Sequence, residues 1–218
     1  MLVAGNGKGH FRLSFFMNSD LQKRERKLKR MHSLIDKCQK CRLGRTRDKA
    51  VPGEGPVGAE YMVIGQGPGN DEDKTGRPFI GRSGRLLTGF LEMAGLKRED
   101  VFITSAVKCF PTPPDNRKPK RDELEACFPY LKEQIKLAGP GKIILVGEVA
   151  FTLFFPGKRL KDLRGKWLEN PEYEGKKFFA TYHPAAALRF PGIWKKVIEK
   201  DFFNIGKKSE DRRTKISE

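Results

Sequence analysis

The chain has four cysteines, placed as a Cys38-x2-Cys41 pair followed by Cys109 and Cys127. The pair sits in a polar, basic stretch, DKCQKCRLGR, that no hydrophobic core explains. Thiolates at this spacing grip a metal from one tight turn, and two later thiolates complete a four-sulfur set. Zinc and a 4Fe–4S cluster both accept four thiolates, so ligand type leaves the two open. The plainer alternative makes Cys109 and Cys127 small buried hydrophobes. A disulfide framework is not expected at this size without a secretory signal, so the expected compartment is intracellular.

Four other loops carry residue types that can do chemistry. GQGPG (65–69) offers backbone N–H groups to a closely approaching phosphate or base edge, or is simply a tight turn. It is neither G-x-G-x-x-G nor a P-loop, which argues against dinucleotide or nucleotide binding. GRPFIGRSGRLL (76–87) sets Phe79 beside glycines and arginines just before a helix start, where an aromatic can stack on a base or fill a core. His183-Pro184, at the end of an apolar run, can donate a hydrogen bond to a developing anion. NRKPKR (116–121) reads as a phosphate contact or as a solvated basic turn.

The elements that must position these loops follow from hydrophobic patterning. YMVIG (61–65), VFITSAVK (101–108), KIILVG (142–147) and KFFATY (177–182) are short apolar runs that read as buried strands. Helical spacing predicts helices over 17–37, 82–94, 121–138 (kinked at Pro129) and 193–205. Strands alternating with helices predict an α/β fold, a three-layer α/β/α sandwich around a mostly parallel four-stranded sheet. Ligands in such sheets bind at the carboxyl ends of strands, where the motif-bearing loops fall.

Composition narrows the partner. Lys and Arg total 44 against 27 Asp and Glu among 218 residues, a net charge of +17, and the pI is near 9.8. Such an excess suits a polyanion, most often nucleic acid. No run of 18 apolar residues exists, so no membrane span is expected. One domain is expected over 17–206, with 1–16 a disordered arm or start-site artefact and 207–218 a disordered basic tail.

Taken in order, Cys38-x2-Cys41, GQGPGNDEDKTGRPFIGRSGRLL, TSAVKCFPTPPDNRKPKRDELEAC and YHPAAALR resemble the family 4 (iron–sulfur) uracil-DNA glycosylases of thermophilic bacteria and archaea. The resemblance runs from about residue 30 to 205. It implies that Cys38, Cys41, Cys109 and Cys127 hold a structural 4Fe–4S cluster. It also implies a monofunctional DNA glycosylase of base excision repair, acting on a damaged base flipped out of DNA. Phe79 and Gly67 would then contact the base, His183 would stabilise the departing anion, and Glu72 would be the acid nearest the site. Leu188 would wedge into the emptied stack, with Arg77, Arg82, Arg85, Arg117 and Arg189 on the DNA side. A monomer is expected, and nothing in the sequence marks a sliding-clamp partner.

Two positions depart from the family pattern. Gln66 stands where Gly-Glu-x-Pro-Gly has its glutamate, and an amide cannot take a proton from water. Ser105 stands where Thr-Asn-x-Val-Lys-Cys has its asparagine, and losing one buried hydrogen bond costs about 1–3 kcal/mol. Both sit at catalytic or base-reading positions, so the alternative reading is a weakly active or non-catalytic DNA-damage or single-strand binder that retains the scaffold.

Overall fold

Each of the four apolar runs forms a strand in the computed structural model, which describes the backbone of residues 8–111 and 117–210 and the side chains of 19–111 and 117–206. The chain opens with α1 (Lys8–Asp36) and α2 (Leu43–Thr46), then β1 (Tyr61–Gly65), α3 (Asn70–Thr75) and α4 (Arg82–Met93). Next come β2 (Val101–Ser105), α5 (Arg121–Ala138), β3 (Lys142–Val146), α6 (Glu148–Phe154) and α7 (Leu160–Leu163). The last elements are β4 (Trp167–Glu169), β5 (Lys177–Thr181), α8 (Pro184–Arg189), a π-helical turn (Pro191–Lys195) and α9 (Lys196–Glu210).

The sheet has five strands in the order β2-β1-β3-β5-β4, not the four expected. All neighbours run parallel except β4, which pairs antiparallel with β5 at the edge. Three residues are too few to show a two-residue period, so Trp167–Glu169 carried no strand signal. The parallel strands are buried on both faces, which explains their unbroken apolar runs. Met62 and Ile64 of β1 face a core with Leu28, Met31 and Ile35 of α1 and Leu131 and Ile135 of α5. Tyr61 and Val63 face the opposite core, with Leu87, Phe90 and Leu91 of α4 and Ile198 and Phe202 of α9.

Helix α1 starts ahead of Met17, and α9 runs past Gly206. The remainder of the expected arm and tail, residues 1–7 and 211–218, lies outside the described residues, as do 112–116 of the loop before α5. Helix α5 continues through Pro129 to Gly139, whose φ of 68° closes it. No helix among the described residues is long and apolar enough to cross a membrane.

Candidate active site

The chain leaves β1 for β2 on one side and later crosses to β3 on the other, so a crevice opens at the carboxyl end of β1. The main-chain ladder continues past the strands, with Ala106 N–H donating to Gly65 O and Val107 N–H to Gln66 O. That holds the two loops close, and a side chain at Gly67 would meet Val107 Cγ2 at 2.7 Å. A small pocket results, bordered by Gly67, Glu72, Phe79, Ser105, His183 and Ala185 among others. With Val51 also on its border, it unites residues from five separate stretches of sequence.

Phe79 is fixed from three sides. It has φ of 49°, the one described non-glycine residue in the left-handed region, a conformation that costs energy unless its surroundings enforce it. Its ring fills the space a side chain at Gly65 would need, where a Cβ would lie 2.4 Å from Phe79 Cζ. Gly84 clears room for its carbonyl, which a Cβ there would meet at 2.0 Å. Arg98 donates to Pro78 O at 2.7 Å while pairing with Glu54 at 2.9 Å. Glu72 completes the clamp: its carboxylate accepts from Gly69, Ile80 and Gly81 N–H at 3.0, 2.9 and 2.8 Å. The acid nearest the site thus ties the β1 loop to the Phe79 loop.

His183 lies with its ring 5.8 Å from that of Phe79, the planes 28° apart. The backbone N–H of Ala185 donates to His183 Nδ1 at 3.2 Å. An accepting Nδ1 carries no proton, so the neutral ring holds its proton on Nε2 and donates there. Burial, and after it the charge of Arg189, push the His183 pKa down to about 4, so the ring is neutral at physiological pH. Ser105 is buried at the pocket wall. The pocket is therefore lined by an aromatic ring, a neutral imidazole and the buried Ser105.

The other expected site residues are more dispersed. Gln66 is outside the pocket lining, its Nε2 donating to Arg117 O at 3.4 Å. Arg117 itself makes two bonds to Glu123, at 2.8 and 2.7 Å. Hydrogen bonding by Arg117 leads the causes that hold the Glu123 carboxyl down at about 2. Arg77 pairs with Glu54 at 2.9 Å. Arg82 and Arg85 are exposed at the start of α4, and Arg189 is exposed at the end of α8, where Leu188 is half-buried.

All four cysteines are free thiols and border one cavity, although they come from the α1–α2 turn, the loop after β2 and α5. Arg47 Nη1 donates to Cys109 Sγ at 2.9 Å, and the fully buried Lys108 lines the same cavity. Burial raises the Cys109 thiol and pushes Cys127 up to about 11. Among the described residues, no three metal-ligating side chains converge on a single-ion position. Lys108 escaped the sequence reading. Its ammonium bonds Thr104 Oγ1 at 2.7 Å and the Ser105 carbonyl at 2.5 Å, joining the cysteine cavity to the strand end that bears Ser105. A lysine inside an apolar strand run was the only signal that could have found it.

Fold and pocket together define an α/β protein whose mostly parallel sheet carries, at its strand ends, a pocket lined by Phe79, Ser105 and His183. Residues 52–204 match the Uracil DNA glycosylase superfamily. The type-4 uracil-DNA glycosylase of Saccharolobus solfataricus is 48% identical over 178 residues, which span 78% of this chain and 81% of that protein. That of Pyrobaculum aerophilum is 42% identical over 177 residues, spanning 76% of this chain and 87% of its own length. A third, from Thermotoga maritima, is 40% identical over 171 residues, or 76% and 85%. The chain belongs to the uracil-DNA glycosylase superfamily, in its type-4 branch.

Proposed function

We propose that this chain removes uracil, or a related deaminated base, from DNA through the pocket formed by Phe79, Ser105 and His183. It is a DNA glycosylase, a hydrolase of N-glycosidic bonds that acts in DNA repair. A base inside the stack is unreachable, so the nucleotide must first leave it. In our reading the extruded base stacks on Phe79, while His183 Nε2–H and the Ser105 hydroxyl donate to its carbonyl oxygens. The bond from C1′ to the base nitrogen then breaks, its electron pair leaving with the base as an anion and the sugar becoming an oxocarbenium ion. Water adds to C1′, and the proton it sheds ends on the departed base. Donors aimed where charge develops are the largest single contribution to such a step.

The observation that carries this reading is the fixed tautomer of His183, since acceptance by Nδ1 leaves Nε2–H as the donor. Gln66 has no carboxylate to offer the water, so addition relies on the electrophilicity of the sugar cation. We read Glu72 as a positioning residue for the Phe79 loop. Arg82, Arg85 and Arg189 we assign to phosphates, while Arg77 and Arg117, already paired with carboxylates, hold the loops beneath them. The protein is expected to act as a monomer.

We assign Cys38, Cys41, Cys109 and Cys127 to a 4Fe–4S cluster. The residues present fit it: four thiols share a cavity instead of a single point, and Arg47 and Lys108 bring positive charge to an anionic group. When bound it supplies no chemistry to the base, only a cross-link between the end of α1, the loop after β2 and α5.

The test is a lesion panel of uracil, hypoxanthine and xanthine in labelled single- and double-stranded oligonucleotides, for wild type, His183→Ala and Ser105→Asn. Wild type should release uracil and leave an alkali-sensitive abasic site. Ser105→Asn should raise uracil excision by about tenfold or more, as a restored buried hydrogen bond would. Tight, salt-sensitive binding by wild type without release of any base would favour the non-catalytic binder instead, the reading that Gln66 and Ser105 keep open.

A further inference from the structure

Lys108 is the one lysine or arginine buried among the described residues, with 1% of its surface exposed. Burying an ammonium is costly unless its N–H groups are bonded. Here they reach two uncharged oxygens at the end of β2, Thr104 Oγ1 at 2.7 Å and the Ser105 carbonyl at 2.5 Å. The main chain of Lys108 makes a further tie, its carbonyl accepting from Val51 N–H at 2.8 Å. Val51 and Ser105 both border the pocket of Phe79 and His183, and both are buried. A residue outside that pocket thus grips two of its walls.

The grip is braced from behind. Thr104 Oγ1 lies 2.9 Å from Pro52 O and 3.0 Å from Gln134 Oε1, while Gln134 Nε2 donates to Pro52 O at 2.6 Å. The Val51–Pro52 segment and the end of β2 are therefore tied to one buried group of side chains. Val107, next to Lys108, crowds the position of a side chain at Gly67, a third residue of the pocket.

We infer that Lys108 is a positioning residue for base excision, one that sets Ser105 and Val51 at their places around the base. The inference rests on the glycosylase reading above. Holding the Ser105 carbonyl fixes that peptide plane, and with it the direction in which the Ser105 side chain leaves the strand. An apolar side chain of similar length would fill the same space with no charge to desolvate, so what the ammonium adds is its directed bonds.

The experiment is a double-mutant cycle of Lys108→Met and Ser105→Ala, read as kcat/KM for uracil in single-stranded DNA. Lys108→Met should lower kcat/KM by about 10- to 100-fold beside Ser105, the range for losing a bond to a charged donor, and by less than about threefold beside Ala. Thr104→Val removes one partner of the ammonium and keeps the lysine. It should show the same dependence on Ser105, and it decides the matter if Lys108→Met does not fold. Iron content and Tm are read alongside, since Lys108 also borders the cysteine cavity. Equal losses in both backgrounds, an unchanged kcat/KM, or a loss that follows iron release would each overturn the assignment. Amide hydrogen exchange separates it from the glycosylase reading, because Lys108→Met should speed exchange at Val51 and Ala106 and leave Ile144 of β3 as it was. Wild type that released no base would sink the glycosylase reading alone; faster exchange at Val51 would still support the positioning role, and unchanged exchange would overturn it.

Discussion

A neutral imidazole whose Nδ1 is already accepting can assist a departing anion only through Nε2–H. His183→Ala, which removes that donor, should cut single-turnover excision by about 10²–10³-fold, with DNA binding little changed in a filter or anisotropy assay. The same residue ties stability to pH. Its folded pKa of about 4 lies below the ordinary 6.5, so on acidification the unfolded chain takes the proton first. The stability it contributes is complete above about pH 6.5 and is lost as pH falls through 4. Denaturant midpoints should therefore drop between pH 7 and pH 4.5, and His183→Gln should flatten part of that slope. A slope identical in the variant would mean that His183 is not the group titrating. Sequence gave His183 and Phe79 their candidacy through position at a strand end and beside glycines. It could not reveal the committed carboxylate of Glu72 or the pairing of Arg117 with Glu123, because those partners are fixed by the folded loops.

The elements around the pocket act through close approach. Gly65 ends β1 with the Phe79 ring occupying the space where a side chain would go. Gly65→Ala should push the ring off its wall and raise KM for uracil-containing DNA at least tenfold, while circular dichroism stays near wild type; an unchanged KM would show the ring is not held by that contact. Off-rotamer crowding of this kind costs about 1–3 kcal/mol. The four central strands and helices α4, α5 and α9 were readable because fully buried strands are unbroken apolar runs and amphipathic helices keep a 3.6-residue period. Edge strand β4 was not, since three residues paired with β5 owe their conformation to the neighbour and not to a pattern of their own. The start of α1 ahead of Met17 likewise followed no periodic apolar signal.

At the scale of the whole molecule, the cysteine centre and the surface charge make separate predictions. If the four thiols hold a cluster, purified protein should carry about four irons with matching sulfide, and Cys127→Ser should lose them. Loss of a cross-link between α1, β2 and α5 should also lower Tm by on the order of 10 °C in calorimetry, since metal binding adds directly to folding stability. Retained iron and an unchanged Tm would exclude Cys127 as a ligand. With a net charge of +17, duplex affinity should fall steeply with salt. Replacing Arg82, Arg85 or Arg189 singly by Ala should reduce the slope of log K against log salt by about 0.9 for each phosphate contact removed. The sequence alone determined the family, the parallel α/β architecture, the four-cysteine set and the basic surface, because spacing, periodicity and charge are properties of the chain itself. Only the tertiary structure decided which nitrogen of His183 carries the proton, that Glu72 is a clamp, and that Lys108 joins the cysteine cavity to Ser105. Each of those depends on groups distant in sequence, or on a packing surface that is absent until the sheet and its helices have closed.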